Sequence, residues 1–387
     1  MPVQEEKRAL WLALNRCAMQ KPMVLIDQMP WNELMEPSLA CTVQDAYWRG
    51  VEWWLRSQTY KWEHLPVDMV LTPYVQLPRP LSDTGYGLRY ERETLNEHDR
   101  SVDAQRYTDT LSTDEEVALI RPAVVTLDRD AEQAIMETAA RVFEGIAPFR
   151  MVGLSMHLGI WDWIAQARSV TNCYLDLMDR PEFVHSIMEA LTDAVFTTID
   201  RYNAVGGFDT TSTLCHCSHT FTDDLPVGDA SGRGTSQQAW AFGMAQLFSS
   251  VSPAVTEEFE VAYMKRIFAK FGAVYYGCCD RLDDRLDSIV TLPNVRKISC
   301  SPWSNREAFA ANLPHRYVMS NKPSPAFLAT PTFDEQAVRD DLRRTINAAA
   351  AHGVSLELIL KDISTVNDDP ARLWRWAEIA AEETAAF

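Results

Sequence analysis

The chain has 387 residues, 47% of them hydrophobic, which is enough for one large domain or two ordinary ones. It carries 36 Lys and Arg against 54 Asp and Glu, so its formal net charge is −18. This balance argues against a nucleic-acid partner and against docking on anionic membranes, because both need a concentrated basic surface.

The first residues are charged from the start and lack the apolar core of a signal peptide. No stretch approaches the roughly 18 uninterrupted apolar residues of a membrane span. We therefore expect a cytoplasmic protein without a membrane partner, whose eight cysteines are reduced. Cysteines that cluster are then candidates for metal binding or catalysis before disulfide formation.

The N-terminal part of the chain predicts helices and a β-ribbon around one strand. Apolar residues at helical spacing predict amphipathic helices over residues 1–20 and 43–62. The following segments predict a strand over 67–75, part of a hairpin over 85–95 and mostly helix over 111–145. Residues 1–66 are thus expected to form a helical extension packed on the main domain, and residues 80–145 an insertion in it.

From residue 149 onward, strands and helices alternate regularly. The predicted strands are 149–156, 211–217, 244–250, 273–278, 295–300, 316–321 and 355–360. A short helix or turn is predicted over 159–169, and helices over 180–207, 253–270, 283–291, 304–311, 334–352 and 370–385. This alternation predicts an α/β domain with a parallel sheet, and its length favours a (β/α)8 TIM barrel over residues 67–387. The sequence has no Gly-x-Gly-x-x-Gly loop after an early strand, which lowers the dinucleotide-binding alternative.

Chemically reactive side chains stand where the predicted strands end. In a barrel, catalytic residues lie on the loops after the carboxyl ends of the strands. The residues at these ends are His157, Cys215, His216, Cys217, Cys278, Cys279, Asp280, Cys300, Asn321, Lys322, Lys361 and Asp362. Glu257 and Glu258 lie in the first two turns of the helix after Pro253, near the same rim.

Glu258, Cys279 and Cys300 are separated by two equal gaps of 20 residues. Neighbouring strands of a parallel α/β sheet recur at about this interval, so the three side chains could meet at one rim. Two thiols and one carboxylate make a plausible zinc site with an open fourth position, as in zinc enzymes. A regular strand would turn Cys278 and Cys279 to opposite faces, so at most one of them is expected in the barrel mouth.

Other interpretations of these residues remain open on the sequence alone. Cys300 could be a core cysteine, and Glu258 could be a solvated charge near a helix N-terminus. The cluster Cys215-His216-Cys217-x-His219 is a second candidate metal site.

A zinc ion held by Glu, Cys and Cys has an informative chemistry. Its open position can bind an ether or hydroxyl oxygen, polarise the C–O bond and stabilise the departing alkoxide or phenolate. A methyl group leaving oxygen in this way needs a very strong nucleophile, and no side chain is an obvious candidate. The pattern therefore indicates a cofactor carried by a partner.

Three runs of the sequence, 275–309, 317–329 and 356–380, resemble the uroporphyrinogen decarboxylase-like superfamily. Within it, the chain is similar to the methyltransferases that serve corrinoid proteins in O-demethylase systems. The resemblance implies a (β/α)8 barrel and zinc bound by Glu258, Cys279 and Cys300, which match the family's Glu-xn-Cys-xn-Cys pattern. The Arg-rich N-terminal motif of the true decarboxylases is missing, which argues against decarboxylation.

The reaction that the resemblance implies is methyl transfer from an aryl methyl ether to the Co(I) corrinoid (cobalamin) of a partner protein. The chain has no Asp-x-His-x-x-Gly corrinoid motif of its own. The expected catalytic residues are His157, Lys322 and Asp362, and the expected substrate-binding residues are Tyr276, Trp303 and Lys361.

Two enzymatic alternatives of the same fold remain, a methylcorrinoid:thiol methyltransferase and a methylamine- or betaine-type demethylase. The thiol-methylating enzymes carry His-x-Cys where this chain has Tyr276-x-Cys278, which argues against that role. A third alternative is a non-catalytic corrinoid-binding member. The sequence leaves open the methyl donor, the ring-substitution preference and the oligomeric state, with which a homodimer is compatible.

Overall fold

The computed structural model describes residues 2–94, 105–227 and 232–387. Its strands are β1 Met23–Ile26, β2 Val75–Pro78, β3 Leu81–Asp83, β4 Glu91–Thr94, β5 Gln105–Thr108, β6 Val125–Leu127, β7 Phe149–Val152, β8 Met156–Leu158, β9 Trp240–Gly243, β10 Ala273–Tyr276, β11 Val295–Cys300, β12 Val318–Asn321 and β13 Ser355–Leu360. Its α-helices are α1 Pro2–Asn15, α2 Ala46–His64, α3 Asp114–Val117, α4 Arg129–Val142, α5 Ile160–Arg168, α6 Val170–Asp179, α7 Pro181–Val205, α8 Pro253–Thr256, α9 Ala262–Phe268, α10 Leu286–Ile289, α11 Arg306–Asn312, α12 Ala326–Ala329, α13 Glu335–Ala351 and α14 Ala371–Ala385.

Seven parallel strands form the wall of a barrel in the order β1-β13-β12-β11-β10-β9-β8. Residues 67–78 complete the wall between its two ends. The Asp68 amide donates to the Val24 carbonyl at 2.9 Å, and β2 then pairs in parallel with β7, which precedes β8. Helices between successive strands cover the outside, so the chain folds as the (β/α)8 TIM barrel expected from its alternating pattern.

Strand residues alternate between the barrel interior and the outer helical layer, as the period of a strand requires. On β10, Tyr275 belongs to the inner apolar cluster, whereas Val274 and Tyr276 belong to the cluster shared with the outer helices. Helix α1 adds Trp11 and Leu14 to the inner cluster, beside the first residues of several strands. The interior is therefore a packed core, and its carboxyl end is the face available for a site.

The barrel sheet begins at Met23, because β1 pairs with β13 over four residues. The first strand therefore lies within residues 1–66, the part assigned from sequence to a helical extension. The insertion contains two antiparallel ribbons, β3–β6 and β4–β5. The second ribbon agrees with the hairpin expected around 85–95, whose last residue lies outside the described residues.

Three strand predictions were wrong. Residues 67–74 form a loop, and of the segment 67–75 only Val75 belongs to a strand, β2. Residues 211–217 form a loop, and residues 246–250 form a 3-10 turn after β9. The wall is occupied instead by Trp240–Gly243, which is fully buried, and Gly243 is required there because a Cβ would clash with the Phe268 ring. The helix expected over 253–270 is present as α8 and α9, joined by a π-helical turn over Glu257–Val261.

The described part of the chain contains no helix long and apolar enough to cross a membrane.

Candidate active site

Two loops at the carboxyl end of the barrel bring Cys278, Cys279 and Asp362 together. The cysteines follow β10, and Asp362 follows β13. One ligand atom from each residue lies within 4.8 Å of the others, and among the described residues no other such group of metal-binding side chains is found. The two sulfurs are 3.7 Å apart, and the Cys279 thiol donates to Asp362 Oδ2 at 3.0 Å.

Both cysteines reach the mouth because β10 ends at Tyr276 and Gly277 breaks the strand. Gly277 has φ +90°, and a Cβ there would lie 2.6 Å from Leu282 Cδ1, so the turn favours glycine. The Cys278 amide donates to Asp280 Oδ1 at 2.6 Å, and the Ser299 hydroxyl donates to the Cys278 carbonyl at 2.7 Å. The expectation that at most one of the two cysteines enters the mouth was wrong, since it assumed a regular strand.

The ammonium group of Lys361 lies among the polar atoms of the site. Its Nζ is 3.0 Å from Cys278 Sγ, 2.8 Å from Asp362 Oδ2 and 3.3 Å from Gln28 Oε1. The pKa of Cys278 is lowered, first by the hydrogen bond from Cys279 and then, against the cost of burial, by His216 and Lys361. The pKa of Cys279 is raised, first by its hydrogen bond with Cys278, then by burial and by the negative charge of the Cys278 thiolate.

Asp362 remains an anion although its site is partly buried. Burial raises its pKa, but the hydrogen bonds from Cys279 and Lys361 outweigh burial and hold the pKa below its usual range. The residue has φ +54°, and the loop after it is anchored by Glu33. Oε2 of Glu33 accepts from the Val366 amide at 2.8 Å and from the Thr365 hydroxyl at 2.9 Å.

Two histidines stack on one face of the barrel interior beside this group. The His216 ring lies 3.9 Å from the Phe242 ring, and the His157 ring lies 4.7 Å from the same ring. His216 Nε2 is 3.7 Å from Cys278 Sγ. Burial lowers the pKa of His216, yet hydrogen bonds to Cys217 and Cys278 outweigh it and raise the pKa to about 9. Burial and the neighbouring His216 lower the pKa of His157, whose ring is exposed in the mouth.

The structure does not bring Cys300 and Glu258 to Cys279. Cys300 is fully buried in the outer cluster, because on β11 Lys297 and Ser299 face the interior and Cys300 the helices. Burial raises the pKa of its thiol to about 12. Glu258 lies in the π-helical turn on the outer layer, 55% exposed, with Oε1 3.2 Å from Nε2 of His185.

Three other predicted site residues lie away from the group at the mouth. Tyr276 is buried against the outer helices, where its hydroxyl donates to Glu260 Oε1 at 3.1 Å. Trp303 is 76% exposed on the loop after β11. Lys322 is buried in the interior, where its Nζ contacts the Tyr275 hydroxyl and donates to Ser320 Oγ at 2.8 Å.

The second candidate metal cluster separates into different roles. His219 Nδ1 donates to the Thr213 carbonyl at 2.7 Å, and its Nε2 accepts from the Val70 amide at 3.0 Å, so both ring nitrogens are used within the fold. Burial lowers the pKa of His219 to about 4 and keeps it neutral. His216 contacts Cys278, and Cys215 and Cys217 belong to the inner apolar cluster.

The residues at the mouth fit a zinc ion by the chemistry of their donor atoms. Two thiols and one carboxylate are ligands that zinc accepts, and three protein ligands leave a position open for a substrate. Three anionic ligands around a dication would leave one negative charge, which the ammonium group of Lys361 is placed to balance. The sequence assigned no role to Gln28, gave His216 a role only within the second candidate metal cluster, and did not choose Cys278 as a ligand. Gly277 before the cysteine pair is the signal that the strand alternation breaks there.

Comparisons with known proteins bear on the fold alone. No protein-family model and no curated protein sequence matches the chain. The chain is similar to a solved methyltransferase from Methanosarcina mazei, with 12% identity and a TM-score of 0.54, over 98% of both chains. A B12-independent methionine synthase from Shewanella sp. W3-18-1, in complex with selenomethionine, has 13% identity and a TM-score of 0.43, covering 95% of this chain and 99% of its own. The first likeness supports the barrel fold over nearly the whole chain.

Proposed function

We propose that the chain is a zinc-dependent methyltransferase that moves a methyl group from an aryl methyl ether to the Co(I) corrinoid of a partner protein. The observation that carries this proposal is the convergence of Cys278, Cys279 and Asp362 at the carboxyl end of a barrel. Those residues would hold the metal, replacing the set Glu258, Cys279 and Cys300 that the spacing suggested. The sequence resemblance supplies the reaction class.

The chain's own residues prepare this site for a metal. Lys361 and the Cys279 thiol stabilise the Cys278 thiolate, so one ligand is already an anion before binding. Asp362 is oriented by the Cys279 thiol and by Lys361. Zinc, when bound, supplies a Lewis acid that polarises an ether oxygen and stabilises a departing phenolate.

The mouth is open enough for a cofactor carried by another protein. Cys279 is partly exposed and the His157 ring is exposed on the same face. His157 is neutral near pH 7, because its pKa lies below the ordinary value, so its free ring nitrogen can accept a hydrogen bond and orient a substrate there. Phe242 stacks on His157 and fixes the plane of the ring.

A direct test uses purified zinc-loaded protein, 2-methoxyphenol and cobalamin reduced to Co(I), without oxygen. We expect catechol to form while the Co(I) absorbance is replaced by that of methylcobalamin. Asp362→Asn and Cys279→Ser should each lower the rate by at least about 100-fold. Cys300→Ser serves as the matched cysteine control and should keep most of the activity. No methyl transfer from any of several methoxyarenes to cobalamin would refute the proposed reaction.

A thiol-methylating enzyme is the second candidate, and one observation favours it. His216 brings an imidazole to within 3.7 Å of Cys278 Sγ, so a histidine stands beside the thiols although Tyr276 replaces the family's histidine. The same preparation distinguishes the two candidates. Methylation of coenzyme M from methylcobalamin, with inert methoxyarenes, would select the thiol methyltransferase.

A further inference from the structure

A cavity of about 720 Å³ opens between α2 and the barrel wall, and its lining is mostly aromatic and aliphatic. Four aromatic side chains line it: Trp31, Trp54, Trp62 and Tyr74. Its volume falls in the range of small-molecule sites, which is about 300–1,000 Å³. This cavity contains none of the residues predicted from the sequence to bind a substrate.

The aromatic wall is held in place by its neighbours. The Trp31 ring packs edge-to-face on Trp53 at 5.3 Å and on Tyr60 at 5.7 Å. The guanidinium of Arg150 lies 4.8 Å from the centre of the Tyr74 ring. Rings fixed in this way present flat apolar faces at little cost in side-chain entropy, which suits the stacking of another planar ring.

The lining offers no net charge to a ligand. Its charged side chains are Lys61 and Asp27, and they form an ion pair with 3.0 Å between Nζ and Oδ1. His219 also borders the cavity, where it is neutral and both of its ring nitrogens are hydrogen-bonded. A charged ligand would have to be desolvated here without a free counter-charge, so an uncharged one is favoured.

The cavity adjoins the candidate metal site through two consecutive residues. Asp27 lines the cavity, and the next residue, Gln28, accepts from Lys361 Nζ at 3.3 Å. A second cavity of about 550 Å³ is lined by Gln28 and Asp362, and it shares Trp31 with the first. Trp31 therefore connects the aromatic wall of the first cavity with the cavity that Asp362 lines.

We propose that this cavity binds an uncharged planar aromatic compound of one or two rings. The assignment of this cavity to the methyl donor rests on the proposed function. Binding of the aromatic ring does not require catalysis. The ring stacks against the tryptophans, and the substituent that carries the methyl group points past Trp31 toward Asp362.

The test measures binding by titration calorimetry on the full chain, with methoxybenzene as the probe and methoxycyclohexane as the non-aromatic match. Gln58 lines the cavity on α2, and Gln58→Trp fills the space. Glu63→Trp places the same side chain on an exposed position of the same helix as the control. We expect Gln58→Trp to raise the Kd of methoxybenzene at least about tenfold and Glu63→Trp to leave it nearly unchanged. Methoxycyclohexane should bind at least about tenfold more weakly than methoxybenzene.

Each other outcome has a definite meaning. Unchanged methoxybenzene binding in folded Gln58→Trp, or equal binding of the two ethers, would overturn the inference. If Gln58→Trp fails to fold, Tyr74→Leu is the alternative variant, because it removes one aromatic face. It should weaken the binding of methoxybenzene, and an unchanged Kd would also overturn the inference. Methyl transfer with an unchanged KM in Gln58→Trp would overturn the site and leave the function standing. Binding as expected without any methyl transfer would uphold the site and refute the function.

Discussion

The thiol of Cys279 donates to the carboxylate of Asp362 across the mouth of the barrel, with 3.0 Å between Sγ and Oδ2. The two residues are 83 positions apart and follow strands β10 and β13. Between them stand Cys278 and Lys361, so a thiolate, a thiol, a carboxylate and an ammonium group share one small volume. Such a group is stable only when its charges are balanced, which makes it sensitive to single substitutions.

The zinc content of cysteine variants should depend on Cys278 and Cys279, which belong to this group, and not on the evenly spaced Cys300. We expect about one zinc per chain in the unaltered protein and in Cys300→Ser, and less than about a tenth in Cys278→Ser and Cys279→Ser. Elemental analysis after dialysis against a weak chelator measures the zinc content per chain. Loss of zinc in Cys300→Ser, with zinc retained in Cys278→Ser, would restore Glu258, Cys279 and Cys300 as the ligand set.

Acid should destabilise the fold through His219. Its folded-state pKa of about 4 lies below the ordinary 6.5, so between these pH values the unfolded chain binds a proton that the folded chain refuses. The stabilisation is present above pH 6.5 and is lost as the pH falls toward 4, amounting to about 3 kcal/mol. In urea unfolding between about pH 7 and pH 4, wild type should lose about 3 kcal/mol more stability than His219→Gln, which has no imidazole to protonate. His315→Gln, which replaces an exposed histidine, is the control and should keep the pH dependence of wild type. Parallel pH profiles for wild type and His219→Gln would contradict the prediction.

Asp280 should act in the opposite direction. Burial raises the pKa of Asp280 from 3.8 to about 6. The hydrogen bond from the Cys278 backbone amide lowers this pKa, and the negative charge of the Cys278 thiolate raises it. Its contribution to stability is complete below pH 3.8 and is lost as the pH rises through 6. Asp280→Asn keeps the acceptor for Cys278 and removes the charge. In metal-free protein, its free energy of unfolding should exceed that of wild type by about 3 kcal/mol at pH 8 and by nearly nothing at about pH 4.

The control for that measurement is Asp287→Asn, because Asp287 is an exposed carboxylate in the first turn of α10 on the same segment of the chain. This substitution should leave the free energy of unfolding nearly unchanged at both pH values. Equal stability of wild type and Asp280→Asn at about pH 8 would show that the Asp280 carboxylate is not destabilised by burial.

The ion pair of Lys297 and Glu357 in the barrel interior should be strongly coupled. Both side chains are fully buried, and the Lys297 ammonium donates to Glu357 Oε2 at 2.5 Å. Lys297→Met leaves an unpaired buried carboxylate and should cost about 3–5 kcal/mol of stability, of which the double variant with Glu357→Gln should recover a large part. The exposed pair of Arg344 and Glu307 is the control, and Arg344→Met should cost about 1 kcal/mol or less. Additive effects of the two interior substitutions would contradict the coupling.

The sequence alone determined the fold class, because alternation of strands and helices from residue 149 onward leaves few ways to bury every strand. It also predicted reactive groups at the carboxyl end of the barrel, and Cys279, Lys361 and Asp362 lie on the loops after β10 and β13. The sequence did not predict the first strand, Met23–Ile26. Four apolar residues between helices do not show that they pair with β13.

Only the tertiary structure decided which thiols meet. Cys300 is the last residue of β11, and the alternation from Lys297 to Cys300 turns it to the helices. Gly277 ends the regular geometry before Cys278, so both adjacent cysteines turn into the mouth. The spacing in a sequence gives the number of residues between strand ends. The side of the strand on which a side chain lies depends on where that strand ends. Of the three equally spaced residues, only Cys279 belongs to the group at the mouth, whose members follow β10 and β13.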